Sequence, residues 1–152
     1  MTAELGGPID LAQVDVRADP DRLPFAPPAA NAATTWEGRD VLWLGPDEWL
    51  VVGRSDESEA IARELDAALG GHHHSVIDVG ANRIAFELRD GLEQLATSCG
   101  LDLDPSRWLL GMCAQTLFGH AQVILHQRDA RTTRVFVRPS FAGYVVDLLA
   151  TA

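Results

Sequence analysis

Residues 38–53 read GRDVLWLGPDEWLVVG, and this stretch has the pattern of a β-hairpin. It contains two short runs of aromatic and branched apolar side chains, which favour strands. Between the runs, Pro46 sets φ to about −65° at the second position of a turn, and Gly45 relieves the backbone where the chain reverses. The pattern therefore predicts strand, turn, strand, with Trp43 and Trp49 flanking the turn.

Size and charge restrict the classes of function. The chain has 152 residues, of which 47% are hydrophobic and 22% charged, as in an ordinary globular protein. Its formal net charge of −10 repels phosphate backbones and anionic lipid surfaces, which argues against nucleic acid and membrane partners. The apolar runs are too short to span a bilayer, and the N-terminus has no signal pattern. We therefore expect a cytoplasmic protein.

The N-terminal part of the sequence is rich in proline. Pro20, Pro24, Pro27 and Pro28 stand among alanines, and this proline density disfavours regular elements. The weak alternation over residues 11–16 allows one short edge strand. We therefore predict that residues 1–37 form an extended arm and that residues 38–152 form a single α+β domain.

The remaining elements follow from periodicity and capping signals. Apolar residues recur with helical spacing behind capping residues in three segments, and they alternate or cluster with β-prone residues in five others. The predicted helices lie within 56–69, 90–99 and 140–149, and the predicted strands within 75–79, 83–89, 113–118, 122–127 and 132–138. This order fits an α+β fold with a split βαβ (ferredoxin-like) antiparallel sheet and helices on one face.

No set of residues has the spacing of a catalytic or metal site. The three histidines at 72–74 are consecutive, so they cannot all face one ion, and no further ligand follows at a suitable spacing. Asp47 and Glu48 are explained by turn chemistry, while Cys99 and Cys113 have the surroundings of buried free thiols. Phosphate-binding glycine loops are absent from the sequence. We therefore predict no catalytic, cofactor-binding or metal-binding residues in this chain.

Several short stretches, taken together and in order, resemble one family. They are residues 42–50 (LWLGPDEWL), Asp78-Val79 with Asn82-Arg83, residues 99–103 (CGLDL), residues 113–116 (CAQT) and residues 138–142 (RPSFA). In this combination the sequence resembles the gamma subunit of heterotetrameric sarcosine oxidase.

The resemblance implies a fold similar to half of the folate-binding aminomethyltransferase of the glycine-cleavage system. It also implies a non-catalytic subunit that packs mainly on an alpha chain, together with beta and delta chains. In that family the complex oxidises sarcosine to glycine, passes the one-carbon unit to tetrahydrofolate and makes hydrogen peroxide. FAD, FMN, NAD, zinc and tetrahydrofolate are expected in the partner chains and none of them in this one.

Two other functions remain open from the sequence. The chain could bind folate by itself as an aminomethyltransferase-like protein, or it could be a regulatory module that binds a small molecule. Fold likeness cannot separate these readings, because function depends on sites that differ among proteins of one fold.

Aromatic residues and arginines are the candidates for a partner interface. Four tryptophans exceed the needs of a core with three short helices, and tryptophan is enriched at interface hot spots. We therefore predict anchors at Trp43, Trp49 and Trp108. Arg83 and Arg138 are predicted at the polar rim, since the guanidinium group pairs well with carboxylates and carbonyls.

Overall fold

The chain forms two compact units in the computed structural model, which describes residues 2–152. The hairpin unit is Asp10–Ala81, and the terminal unit combines residues 2–9 with Asn82–Ala152. Each unit contains one five-stranded antiparallel sheet. The predicted α+β class with antiparallel strands is confirmed, although the strands form two sheets where one split βαβ sheet was expected.

Ten strands and three helices make up the two units. In chain order they are β1 (Glu4–Leu5), β2 (Leu11–Ala18), β3 (Ala33–Trp36), β4 (Arg39–Gly45), β5 (Glu48–Arg54), α1 (Ser58–Leu69), β6 (His74–Asp78), β7 (Ile84–Arg89), α2 (Leu92–Ala96), β8 (Cys113–Phe118), β9 (Ala121–Gln127), β10 (Thr132–Val137) and α3 (Ala142–Ala150). None of the helices within residues 2–152 has the length and apolarity needed to cross a membrane.

The hairpin predicted at 38–53 is confirmed as β4 and β5, in a sheet of order β3-β4-β5-β2-β6. Trp43 lies opposite Trp49, and Gly45 lies opposite Glu48 at the turn. Helix α1 packs on this sheet because its apolar residues recur at helical spacing, so that one stripe is buried. That stripe consists of Ile61, Leu65 and Leu69.

The prediction of an extended arm over residues 1–37 is wrong. Strand β2 lies inside the sheet, where it pairs with β5 on one side and β6 on the other, so it is not an edge strand. Its apolar side chains at Ala12, Val14, Val16 and Ala18 are buried at a spacing of two, which is the period of a strand with one core face. The predicted boundary at residue 38 is wrong for the same reason, because residues on both sides of it share this sheet.

The terminal unit has a sheet of order β1-β7-β10-β9-β8 and a core of its own. The strands contribute alternate apolar residues to that core, for example Val135 and Val137 of β10. From α3 the core receives Val145 and Leu149, at the i, i+4 spacing of one helix face. Strands β7 to β10 and helix α3 were all predicted from their periodicity and are confirmed within a few residues.

The turn between β8 and β9 is held against helix α3. Gly119 has φ +58°, and a Cβ at this position would lie 2.3 Å from the hydroxyl oxygen of Tyr144. The same hydroxyl accepts a hydrogen bond from the backbone N–H of His120 at 3.1 Å. Glycine is therefore required here both by the left-handed backbone and by the close approach of the tyrosine.

Candidate partner interface

Trp49 is part of the core of the hairpin unit. Its side chain is 1% exposed and packs with the apolar residues of β2 and α1. Its indole N–H has no hydrogen-bond partner among residues 2–152. This corrects the prediction of Trp49 as an interface anchor, because a ring enclosed by its own unit presents no surface to another chain.

Trp108 is likewise part of the core of the terminal unit, where it is 5% exposed. Its Nε1–H donates to Oε1 of Gln127 at 2.9 Å, and that same oxygen accepts from the hydroxyl of Thr133 at 2.7 Å. The Gln127 amide nitrogen in turn donates to the carbonyl of Asp129 at 2.8 Å. The predicted interface role of Trp108 is therefore also corrected: the ring closes a buried polar network.

Trp43 differs from the other two predicted tryptophans. It is half-buried and packs against the core of the hairpin unit from beside the turn. One part of its ring therefore remains open to solvent. A role of Trp43 in an interface stays a prediction.

Arg83 and Arg138, the two predicted rim residues, lie together in the terminal unit. The antiparallel register of β7 and β10 pairs Ile84 with Val137. Arg83 is the residue before Ile84 and Arg138 is the residue after Val137, so both arginines lie at the same end of the sheet. Arg138 keeps an extended backbone, with φ −61° and ψ 140°, so it lies on the same face of β10 as Phe136. Both arginines line one groove of about 310 Å³.

The groove continues across the end of the sheet onto β9 and β8. Val137 also pairs with Val123 of β9. Because the two strands are antiparallel, the same register continued by one position places Gln122 beside Arg138. Gln122 in turn pairs with Leu117. Arg83, Arg138, Gln122 and Leu117 thus form one row across four strands, and we call it the arginine row. Leu117 is 51% exposed, so this end of the sheet offers an apolar surface beside two guanidinium groups.

Six lining residues of the groove were not predicted as interface residues, and Gln115, Gln122 and Leu117 are among them. Two signals pointed toward them. Gln115 belongs to the stretch 113–116, which is one of the stretches that carry the family resemblance. Leu117 is an apolar residue at an outward position of an alternating strand. Gln122 carried no comparable signal, because it reads as an ordinary polar residue after a turn.

Arg39 of the hairpin unit shows how a different arginine is used within the chain. It is buried, its guanidinium lies 5.0 Å from the centre of the Trp36 ring, and its Nε donates to Glu57 at 2.9 Å. Its Nη2 lies 2.7 Å from a carboxylate oxygen of Glu64. Burial opposes the charge of Arg39, but the two carboxylates outweigh it and raise the pKa of the guanidinium. These contacts bind β4 to α1 and leave Arg39 no role at the surface.

The Glu57 carboxylate gives the hairpin unit a pH dependence. The backbone N–H of Arg54 and then the Arg39 side chain donate to it, and both lower the pKa of Glu57 below its ordinary value of 4.5. The folded state therefore favours the ionised form of Glu57. The stability that this contributes is complete at a pH above the ordinary pKa of 4.5, and it is lost as the pH falls through the lowered pKa of the folded state. We expect Glu57→Gln to be less stable than the unmodified chain at neutral pH, and the difference to shrink in acid.

Urea unfolding of both chains over a pH series measures this prediction. The informative quantity is the difference between their free energies of unfolding at each pH. A difference that stays constant from neutral pH to below 4 would contradict the assignment, because it would show that the charge of Glu57 contributes nothing.

The residues considered for metal or catalytic chemistry have structural surroundings. His74 places Nε2 at 2.9 Å from Asp66 and Nδ1 at 2.6 Å from the carbonyl of His72, and these two acceptors raise the pKa of His74. Within residues 2–152, no three His, Cys, Asp or Glu side chains are grouped to hold a metal ion. Neither Cys99 nor Cys113 forms a disulfide within residues 2–152, and the first is half-buried and the second buried.

The chain is similar to two solved structures. A chain of heterotetrameric sarcosine oxidase from Corynebacterium sp. U-96 matches with a TM-score of 0.86 at 28% identity, over 97% of this chain and 81% of that one. Aminomethyltransferase T of the glycine cleavage system from Bartonella henselae matches with a TM-score of 0.74 at 13% identity, over 97% of this chain and 45% of that one. At such low identity the second likeness shows the fold alone, and it confirms the predicted resemblance to part of the aminomethyltransferase fold.

Sequence relatives give the same result. The sarcosine oxidase subunit gamma of Corynebacterium sp. (strain P-1) is 33% identical over 153 residues, which cover 92% of this chain and 74% of that protein. The subunit gamma of an Arthrobacter species is 35% identical over the same shares. The model of the family described as "Sarcosine oxidase, gamma subunit family" matches residues 21–152. The chain therefore belongs to the sarcosine oxidase gamma subunit family.

Proposed function

We propose that this chain is the non-catalytic gamma subunit of a heterotetrameric sarcosine oxidase. The complex converts sarcosine to glycine by oxidative demethylation, passes the one-carbon unit to tetrahydrofolate and produces hydrogen peroxide. The observation that carries the proposal is the match over 97% of the chain to a chain of a heterotetrameric sarcosine oxidase, together with the family match over residues 21–152.

In this proposal the chain packs mainly on the alpha subunit and is joined in the complex by the beta and delta subunits, in the cytoplasm. FAD, FMN, NAD, zinc and tetrahydrofolate bind to the partner chains. The non-catalytic role is supported by the structural use of residues that could otherwise carry chemistry. Glu48 pairs with Arg17 at 3.2 Å, and His74 is held by Asp66 in the hairpin unit.

An autonomous folate-binding function is the second candidate, because a fold shared with aminomethyltransferase T is compatible with it although it does not by itself show it. Titration of the isolated chain with tetrahydrofolate in a calorimeter separates the two proposals. The gamma subunit proposal expects no stoichiometric binding to the chain alone. Stoichiometric binding at micromolar concentrations would instead support the aminomethyltransferase-like function.

Activity measurements test the gamma subunit proposal. The chain alone, the other three chains without it, and all four chains co-expressed are compared for hydrogen peroxide formation with sarcosine. We expect peroxide from the four-chain sample and none from this chain alone, whose absorbance spectrum and metal content should show neither flavin nor zinc. Peroxide formation by the isolated chain at the rate of the complex would overturn the non-catalytic role.

A further inference from the structure

We propose that the exposed face of helix α3 docks on the alpha subunit and receives an arginine side chain from it. This face consists of Phe141, directly before the helix, and of Gly143, Tyr144 and Asp147, and we call it the aromatic face. In the assembly the guanidinium group lies on the ring of Tyr144 and pairs with the carboxylate of Asp147. The inference rests on the proposed function, because it supposes that this chain packs on the alpha subunit.

Two aromatic rings on this face are exposed and held in place. Phe141 and Tyr144 are each 38% exposed, and their rings meet edge to face with centroids 6.1 Å apart. The hydroxyl of Tyr144 accepts the backbone N–H of His120 at 3.1 Å, which fixes the ring against the turn between β8 and β9. A ring that is already fixed loses little entropy on binding, and tyrosine is enriched at interface hot spots.

The chain itself gives no steric reason for glycine at position 143. The backbone of Gly143 does not have a positive φ, and a Cβ there would meet no atom of the rest of the chain within 4 Å. Glycine in a helix is destabilising relative to alanine, because it loses more conformational freedom on folding. A partner that comes close to the helix backbone beside Tyr144 accounts for the missing side chain.

The charge of Asp147 favours a cationic group from outside the chain. Its carboxylate forms no ion pair within residues 2–152, and the last turn of α3 holds no basic residue. The C-terminal end of a helix carries a partial negative charge, so a carboxylate near it is unfavourable and a cation is favourable. Arg138, the nearest arginine in sequence, lines the groove at the end of the sheet instead.

An arginine side chain of a partner fits this face better than a second copy of this chain does. Guanidinium groups stack on aromatic rings and form paired hydrogen bonds with carboxylates. Tyr144 and Asp147 have the i, i+3 spacing at which side chains meet on one face of a helix, so one guanidinium group can reach both. A second copy carries the same net charge of −10, which opposes its approach.

Substitutions on the aromatic face test the proposal in the assembled complex. Asp147→Asn, Gly143→Ala, Tyr144→Leu and Tyr144→Phe are co-expressed with the partner chains, and Glu59→Gln, at an exposed position of α1, is the control. Native mass spectrometry follows the dissociation of this chain on dilution at several ammonium acetate concentrations. We expect the dissociation constant to rise about tenfold for Asp147→Asn and Gly143→Ala and about thirtyfold for Tyr144→Leu. For Tyr144→Phe, which keeps the ring, it should rise less than about threefold.

Two further measurements separate docking from a folding defect. Asp147→Asn should weaken the salt dependence of the dissociation constant, because a charge pair across the contact is lost. Gly143→Ala should leave the melting temperature of the free chain unchanged or raise it, since alanine has the higher helix propensity. Weaker assembly of a chain that is no less stable cannot come from unfolding.

The outcomes also separate the docking face from the proposed function. If the unmodified chain joins no complex, the proposed function itself fails. If it assembles, and Asp147→Asn and Gly143→Ala dissociate like Glu59→Gln, the docking face is refuted while the gamma subunit role stands. If only Asp147→Asn behaves like Glu59→Gln, no arginine pairs with Asp147 and the proposal is overturned in favour of an apolar contact. If the isolated chain forms dimers that Gly143→Ala disrupts, the face binds a second copy and the proposal is refuted.

Discussion

Replacing Trp49 by alanine is expected to lower the free energy of unfolding by about 3–5 kcal/mol, the range for a buried tryptophan reduced to alanine. The ring is 1% exposed in the core of the hairpin unit, so its removal loses apolar burial and leaves a cavity between the sheet and α1. Urea unfolding of the purified chain measures the loss.

Trp43→Ala is the matched control for this prediction, because Trp43 lies opposite Trp49 in the same hairpin but is only half-buried. We expect a clearly smaller loss of stability for it than for Trp49→Ala. A Trp49→Ala chain as stable as the unmodified chain, with weakened assembly into the complex, would contradict the core assignment and restore the anchor role.

Replacing Trp108 by alanine is the second substitution with a large expected effect, again about 3–5 kcal/mol from lost burial. Here the loss has a polar part as well, because the indole N–H donates to the buried side chain of Gln127 at 2.9 Å. Without the ring, Gln127 keeps its bond from Thr133 but loses a donor in a buried position.

Trp108→Phe separates the two parts of this effect. Phenylalanine keeps much of the apolar volume and removes the donor, while Thr133 still donates to Gln127. Its cost should therefore lie well below that of Trp108→Ala, with about 0.5–1.5 kcal/mol from the lost hydrogen bond. Thermal melting and urea unfolding report both variants. Equal costs for the two would show that the hydrogen bond, and not the packing of the ring, dominates.

Elements whose pattern is local were predictable from the sequence. The hairpin of β4 and β5 has a turn with proline and glycine between two β-prone runs, so its neighbours in sequence are also its partners in the sheet. Helix α1 has its apolar stripe within one continuous segment, and strand β10 has strongly β-prone residues. None of these predictions needed knowledge of distant residues.

Strand β2 could not be placed in this way. Its buried face includes two alanines, which carry little strand signal, and its partners β5 and β6 follow only after the proline-rich segment. Whether such a strand lies at an edge or inside a sheet is decided by pairing over long sequence distances. The prolines break regular structure only locally, and the chain returns to the same sheet in β3.

The interface prediction failed for two tryptophans for a related reason. Composition shows an excess of large aromatic residues but not which face of a strand or loop carries them, and both Trp49 and Trp108 are directed into a core. The arginines Arg83 and Arg138 were named singly, on their pairing chemistry. Their meeting in one groove depends on the register of β7 and β10, which no local pattern determines.

Native mass spectrometry of the four co-expressed chains tests membership of the complex most directly. The alpha subunit carries the affinity tag, so that this chain is recovered only through assembly. The gamma subunit assignment predicts a dominant species that contains one copy of each of the four chains. A stable species of the other three chains alone, with this chain absent at every concentration tested, would contradict it.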